Sequence, residues 1–162
     1  RYAQLFKCEQ VLRSDCNRGV SGIDGSTSTA AGAACVGEGM TVLITGDMSF
    51  SYDVNGLSST YLSPRFKIIV MCNGGGGIFR FIKPTSDLPE LETCFEIHRD
   101  ISVEKYADLF GLRYFELNDE KSAAEVLSLF FAEEDRPAIL AVHTPNVYNA
   151  EVLRGYFRRS RQ

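Results

Sequence analysis

Three short apolar runs stand out along the chain: "TVLIT" at 41–45, "FKIIVM" at 66–71 and "AILAVH" at 138–143. None alternates strictly between apolar and polar positions, the pattern of strands buried on both faces of a parallel sheet. A weaker strand is expected over "RYFEL" (113–117), and another is expected to precede Ser14. Between the runs the apolar period lengthens to that of a helix in "STAAGAACVG" (28–37), "SVEKYADLFG" (102–111) and "EKSAAEVLSLFFAEE" (120–134). Ser102 is placed to cap the second of these at its start and Gly111 at its end, while Asn118 or Asp119 can cap the first turn of the third. The segment "KPTSDLPELETC" (83–94) carries two prolines and reads as a crossing loop, and "RGYFRRSR" near the end reads as a solvated helix end.

Strands alternating with helices predict an α/β fold: three layers, α/β/α, around a mainly parallel sheet. With 162 residues there is material for one compact domain, residues 1–162. A net charge of −4 argues against a nucleic-acid partner, and no apolar run approaches the roughly 20 residues of a membrane span. Five cysteines without a CxxC pair suit reduced thiols and hence a cytoplasmic location. Two histidines are too few for a Cys/His zinc site, and no hydrolase triad has a supporting local motif.

In a parallel sheet ligands bind outside the carboxyl ends of the strands, and that rule selects residues. Strand 41–45 ends at Gly46-Asp47, and strand 66–71 ends in "CNGGGGIF", Cys72 to Phe79. Asp47 and Asn73 are hard oxygen ligands suited to magnesium, and a glycine carbonyl just beyond Asn73 could supply a third. Met48 and Ser49 open a helix whose free N–H groups favour an anion, and bare glycine backbone lets a diphosphate approach. The same residues also fit a plainer reading, with Asp47 as a helix cap and Asn73 as a turn residue. The glycine run lacks the ending of a mononucleotide P-loop. Four glycines exceed what such a site needs, and the excess predicts a loop that is mobile when empty.

The spacing of Gly46-Asp47 and Asn73 resembles the cofactor motif of the thiamine-diphosphate-dependent enzymes. The blocks "NRGVSGIDGSTSTAAG" (17–32), "GDMSFSYDVNGL" (46–57) and "NGGGGIF" (73–79) together look like one family among them. That family is the 2-succinyl-5-enolpyruvyl-6-hydroxy-3-cyclohexene-1-carboxylate synthases of menaquinone biosynthesis. Its usual "NN" is "CN" here, so Cys72 departs from the pattern while Asn73 keeps the metal-binding position.

The resemblance covers only the last of three domains, the C-terminal diphosphate-binding domain. It implies that Asp47, Asn73 and the carbonyl of Gly75 hold magnesium, or manganese, on the diphosphate. Gly46, Met48, Ser49 and Ile78 would line the cofactor, Ile23 would bend it, and Ser21 and Gly22 would lie beside its aminopyrimidine. Arg18 and, on weaker alignment, Arg1 would bind dicarboxylate substrate, with Ile78 and Phe79 as an apolar wall. The implied reaction is decarboxylation of 2-oxoglutarate and transfer of a succinyl carbanion equivalent to isochorismate. The implied partner is the pyrimidine-binding domain of a neighbouring subunit, in a homodimer or homotetramer. That domain would bring the catalytic glutamate, so no catalytic residue falls in this chain and the piece alone is expected to be inactive. Two alternatives remain on these residues: another 2-oxoacid decarboxylase of acetolactate-synthase type, or a non-catalytic diphosphate-binding module.

Overall fold

A computed structural model describes residues 13–17, 19–96, 98–132 and 135–159. Its four strands are β1 (Thr41–Gly46), β2 (Phe66–Cys72), β3 (Arg113–Leu117) and β4 (Ala138–His143). They form one parallel sheet in the order β1-β2-β4-β3. The helices are α1 (Ser26–Val36), α2 (Asp47–Tyr52), α3 (Ile78–Phe81), α4 (Lys83–Ser86), α5 (Val103–Phe110), α6 (Ala123–Phe131) and α7 (Asn146–Arg159). A 3-10 turn at Val54–Ser58 and a π turn at Leu91–Glu96 complete the order.

Side chains alternate across each strand, so the sheet has two cores. On one face Phe66, Ile68 and Val70 of β2 and Ile139 and Ala141 of β4 pack with Ala31 and Ala34 of α1 and with Val103 and Ala107 of α5. On the other, Ala138 and Leu140 pack with Phe130 of α6, alongside Ile69, Phe115 and Leu117. Helices on both faces make the three layers that the sequence pattern predicts. Each fully buried Ile, Phe or Val adds on the order of 1.5–3 kcal/mol to this arrangement.

The local signals at α5 act as expected. The Ser102 hydroxyl accepts the Lys105 N–H at 3.3 Å, and Gly111 ends the helix in the left-handed region at φ 69°. Asp119 accepts from Lys121 and Ser122, forming the turn before α6 rather than capping the helix itself, which begins four residues later at Ala123. Residues 83–94 depart from a plain loop. Pro84 sits in the first turn of α4, where its missing N–H costs nothing, and Leu91 buries itself at the start of the π turn. Residues 154–159 of the expected solvated tail lie in α7 and the rest of it outside the described residues, as does the strand expected before Ser14, which falls on residues 1–12.

Candidate functional site

The register of the sheet assembles the site. Gly46 pairs with Met71, so the residue after β1 and the residues after β2 leave the sheet side by side. Asp47 is there, 3% exposed, as the first residue of α2. Its Oδ2 accepts the N–H of Asn73 at 3.0 Å and of Gly74 at 2.8 Å. Its Oδ1 accepts the N–H of Met48 at 2.7 Å. Two residues that were only neighbours in a pattern are thus one structural unit, with the Asp47 carboxylate shaping the turn that carries Asn73.

Three N–H groups donate to this buried carboxylate, and burying a charge is costly without a compensating partner. Among the described residues no Lys, Arg or His forms an ion pair with Asp47. Oδ1 has one donor only, which leaves it a lone pair for a cation. The carbonyl of Gly75, a buried residue, accepts the Gly77 N–H at 2.9 Å and likewise retains acceptor capacity. No group of three or more His, Cys, Asp and Glu side chains able to hold a metal occurs among the described residues. A cation at this rim would therefore rest on one carboxylate plus neutral oxygens, hard donors of the kind magnesium takes when phosphate oxygens fill the remaining positions.

The four glycines each have a steric reason. Gly74 and Gly75 have φ of 81° and 146°, and a Cβ on Gly74 would lie 2.6 Å from the His98 ring. A Cβ on Gly76 would lie 2.6 Å from the carbonyl oxygen of Phe95, and one on Gly77 would meet the Asn146 side chain and stand 2.6 Å from Nδ2 of Asn73. Backbone bonds tie the loop further, from Gly76 N–H to the Glu96 carbonyl at 2.8 Å and from Arg99 N–H to the Gly74 carbonyl at 3.1 Å. Close packing against His98, Phe95 and Asn146 thus gives Gly74, Gly76 and Gly77 a steric reason beside the expected mobility of the empty loop.

The loop that holds Ser21, Gly22 and Ile23 reaches the same rim through α2. Ser49 Oγ donates to the Ile23 carbonyl at 2.8 Å. Ser21 has φ of 55°, and Ile23 is 45% exposed. Gly46 is the extended residue that ends β1 and precedes α2. The "YDVN" block proves to be a clamp. Asp53 accepts the N–H and the hydroxyl of Ser28 at 2.7 and 2.5 Å, and Gly56 lies so close to the Ser28 backbone that a Cβ would come within 2.7 Å of its Cα. The blocks at 17–32 and 46–57 are therefore two halves of one contact. Ile78 is half exposed, whereas Phe79 is partly buried against Phe95, with ring centroids 5.5 Å apart. Of the expected apolar wall, Ile78 is the accessible member. Arg1 and Arg18 lie outside the described residues.

Sequence reasoning missed the polar cluster behind Ile78. Arg80 donates from Nε and Nη2 to the two oxygens of Glu96 at 2.7 and 2.6 Å, and from Nη2 to Glu92 at 2.9 Å. Hydrogen bonds to Glu96 first, and then to Glu92, push the guanidinium still further from deprotonation. Asn146 Nδ2 donates to Glu96 at 3.0 Å. Nothing in the sequence links these positions, because the contact joins three separate elements.

Cys72, beside Asn73, is half-buried, and loss of solvent together with the charges of Asp47 and Glu116 pushes its thiol up to about 11. In the metal-free domain at pH 8, iodoacetamide should label Cys72 at least about tenfold more slowly than exposed Cys16 and Cys94, since only the thiolate reacts. The sign for folding follows. Between the unfolded thiol value and about 11 the folded form binds the extra proton, so this group lowers stability as pH rises through that window. Equal labelling rates at the three thiols, read by peptide mass spectrometry, would contradict the assigned environment.

Fold and site together define a parallel α/β domain that gathers a buried carboxylate, an amide and bare glycine backbone at the carboxyl rim of its sheet. No protein-family model matches the chain. Curated relatives do. The chain is 48% identical over 158 residues to the 2-succinyl-5-enolpyruvyl-6-hydroxy-3-cyclohexene-1-carboxylate synthase of Porphyromonas gingivalis, covering 97% of this chain and 27% of that one. It is 45% identical over 159 residues to the synthase of Flavobacterium johnsoniae, covering 98% and 28%, and 41% identical over 157 residues to that of Christiangramia forsetii, covering 97% and 27%. Over that span the chain is similar to these synthases in sequence throughout. It spans little more than a quarter of the length of the relatives it matches. A solved benzoylformate decarboxylase from Polynucleobacter necessarius overlays 75% of this chain and 23% of its own at TM-score 0.47 and 18% identity, too loose an overlay to bear on function.

Proposed function

We propose that the chain is the C-terminal diphosphate-binding domain of a thiamine-diphosphate- and magnesium-dependent transferase. The transferase decarboxylates 2-oxoglutarate and adds the succinyl unit to isochorismate, a step toward menaquinone. The observation that carries this reading is the buried Asp47 carboxylate, unpaired by any cation among the described residues and bonded to the Asn73-Gly74 turn. Similarity to the synthases supports this choice of substrates, and the rim geometry supports this choice of cofactor site.

In this reading Asp47, Asn73 and the Gly75 carbonyl would hold magnesium, or manganese in its stead, together with the cofactor's diphosphate. Thiamine diphosphate, when bound, supplies the electron sink for decarboxylation and ligation. The chain's own residues bind, orient and shield. Met48 and Ser49 would sit beside the diphosphate, and Ser49 also fixes the Ile23 loop through its carbonyl. Ile78 excludes water above the reacting centre, where a dry, low-dielectric surround strengthens every electrostatic contact. The dicarboxylate substrates call for cations with fork geometry, the role assigned to Arg18 and Arg1. The pyrimidine-binding domain of a neighbouring subunit completes the site and brings the glutamate, in a cytoplasmic homodimer or homotetramer. Among the described residues no helix is long and apolar enough to cross a membrane.

The test is product formation by the full-length protein. Carbon dioxide release and isochorismate consumption should require 2-oxoglutarate, thiamine diphosphate and magnesium together, and residues 1–162 alone should give neither. Equal turnover of pyruvate would move the protein to the acetolactate-synthase-like enzymes. Tight cofactor binding by the domain alone, without turnover in the full chain, would favour a binding module.

A further inference from the structure

The cluster behind the rim joins four segments at one residue. Glu96, 7% exposed, receives both nitrogens of the Arg80 fork and the amide of Asn146, while its backbone carbonyl holds Gly76. Asn146 opens α7 and stands against Gly77. Arg154, two turns further along α7, donates to the Arg80 carbonyl at 2.6 Å. Arg80 belongs to α3, a single turn whose first residue is Ile78. So short a helix has little stability of its own, and its orientation depends on what grips it. Here the grip is a bidentate, largely buried ion pair, which fixes direction as well as distance.

We propose that Arg80 is a positioning residue: through Glu96 and Asn146 it sets the height and angle of Ile78 at the rim, and so couples the C-terminal helix α7 to the site. The proposal rests on the reading of Ile78 as part of that site. Arg80 itself spends its guanidinium on Glu92 and Glu96 and touches no substrate in this account. Lysine can keep the charge but not the fork, so the two roles separate: a charge role survives Arg80→Lys, and a positioning role does not.

The experiment uses the full-length protein with Arg80→Lys, Arg80→Met and the milder Asn146→Ala, each checked for folding by circular dichroism. Two readouts are taken. Native-state hydrogen exchange at the Phe79 and Ile82 amides should quicken at least about tenfold in both Arg80 variants, because these amides bond within the gripped turn. In turnover, kcat/KM for 2-oxoglutarate should fall at least about tenfold in both, since a small misplacement of a positioned group is expensive. Thiamine diphosphate affinity should stay within about threefold, and Asn146→Ala should shift both readouts in the same direction by less. Wild-type kcat/KM in Arg80→Lys, or equal loss of cofactor affinity and turnover, overturns the proposal. If the wild-type protein itself does not use thiamine diphosphate, the functional reading has failed, and exchange alone then decides: unchanged rates at Phe79 and Ile82 overturn the grip.

Discussion

Asp47→Ala in the full-length protein is expected to weaken magnesium-dependent thiamine diphosphate binding by ~100-fold or more, the upper end of what even outer partners of a metal site contribute. Two losses add. The cation loses its carboxylate ligand, and the N–H groups of Met48, Asn73 and Gly74 lose their acceptor. The second loss alone disorders the turn that carries Asn73 and Gly75, at a cost of about 1–3 kcal/mol for each donor left buried and unpaired. Asp47→Asn largely separates the two, since its one amide oxygen can still accept from the Asn73-Gly74 turn, at the loss of the Met48 bond, but brings no charge. It should fold close to wild type in a urea titration and still bind the cofactor poorly. Calorimetric titration checks both variants, and unchanged affinity in either removes Asp47 from the metal.

Gly76→Ala is the second large effect, and its sign runs against the usual one. A glycine replaced where alanine fits generally stabilises by about 0.4–1 kcal/mol through the unfolded chain. At Gly76 the new Cβ would lie 2.6 Å from the Phe95 carbonyl oxygen and 2.9 Å from the Phe79 ring. The first of these is backbone and cannot turn aside, so the loop must shift and strain its 2.8 Å bond to the Glu96 carbonyl. Overpacking of this kind costs roughly 1–3 kcal/mol. Gly39→Ala is the control, because nothing lies within 4 Å of its Cβ position. Urea midpoints should fall for Gly76→Ala and hold or rise for Gly39→Ala. Equal midpoints would return the glycine run to a merely flexible role.

What the sequence made legible was local. The strands at 113–117 and 138–143 match their apolar runs because each is short and closed off by helix ends or turn residues. Ser102 and Gly111 cap α5 because capping needs only near neighbours. Asp47 and Asn73 could be paired from the order of elements, since two adjacent parallel strands must end on one rim. The reason for the glycines was not legible, as His98, Phe95 and Asn146 are 19 to 69 residues from the glycines they crowd. The Arg80–Glu96 pair was hidden for the same reason: a fork between two short helical turns has no period. The clamp of Asp53 on Ser28 was visible only as an unexplained motif, and its 25-residue separation carries meaning once the fold is known.

A rim built from one carboxylate and neutral oxygens should bind a diphosphate only through a divalent cation. That dependence is tested most directly by calorimetric titration of thiamine diphosphate into the full-length wild-type protein, once with magnesium and once with EDTA. The account predicts saturable binding with magnesium that weakens by ~100-fold or more when the metal is withdrawn. Equal affinity in the two titrations, or no binding in either, would contradict it.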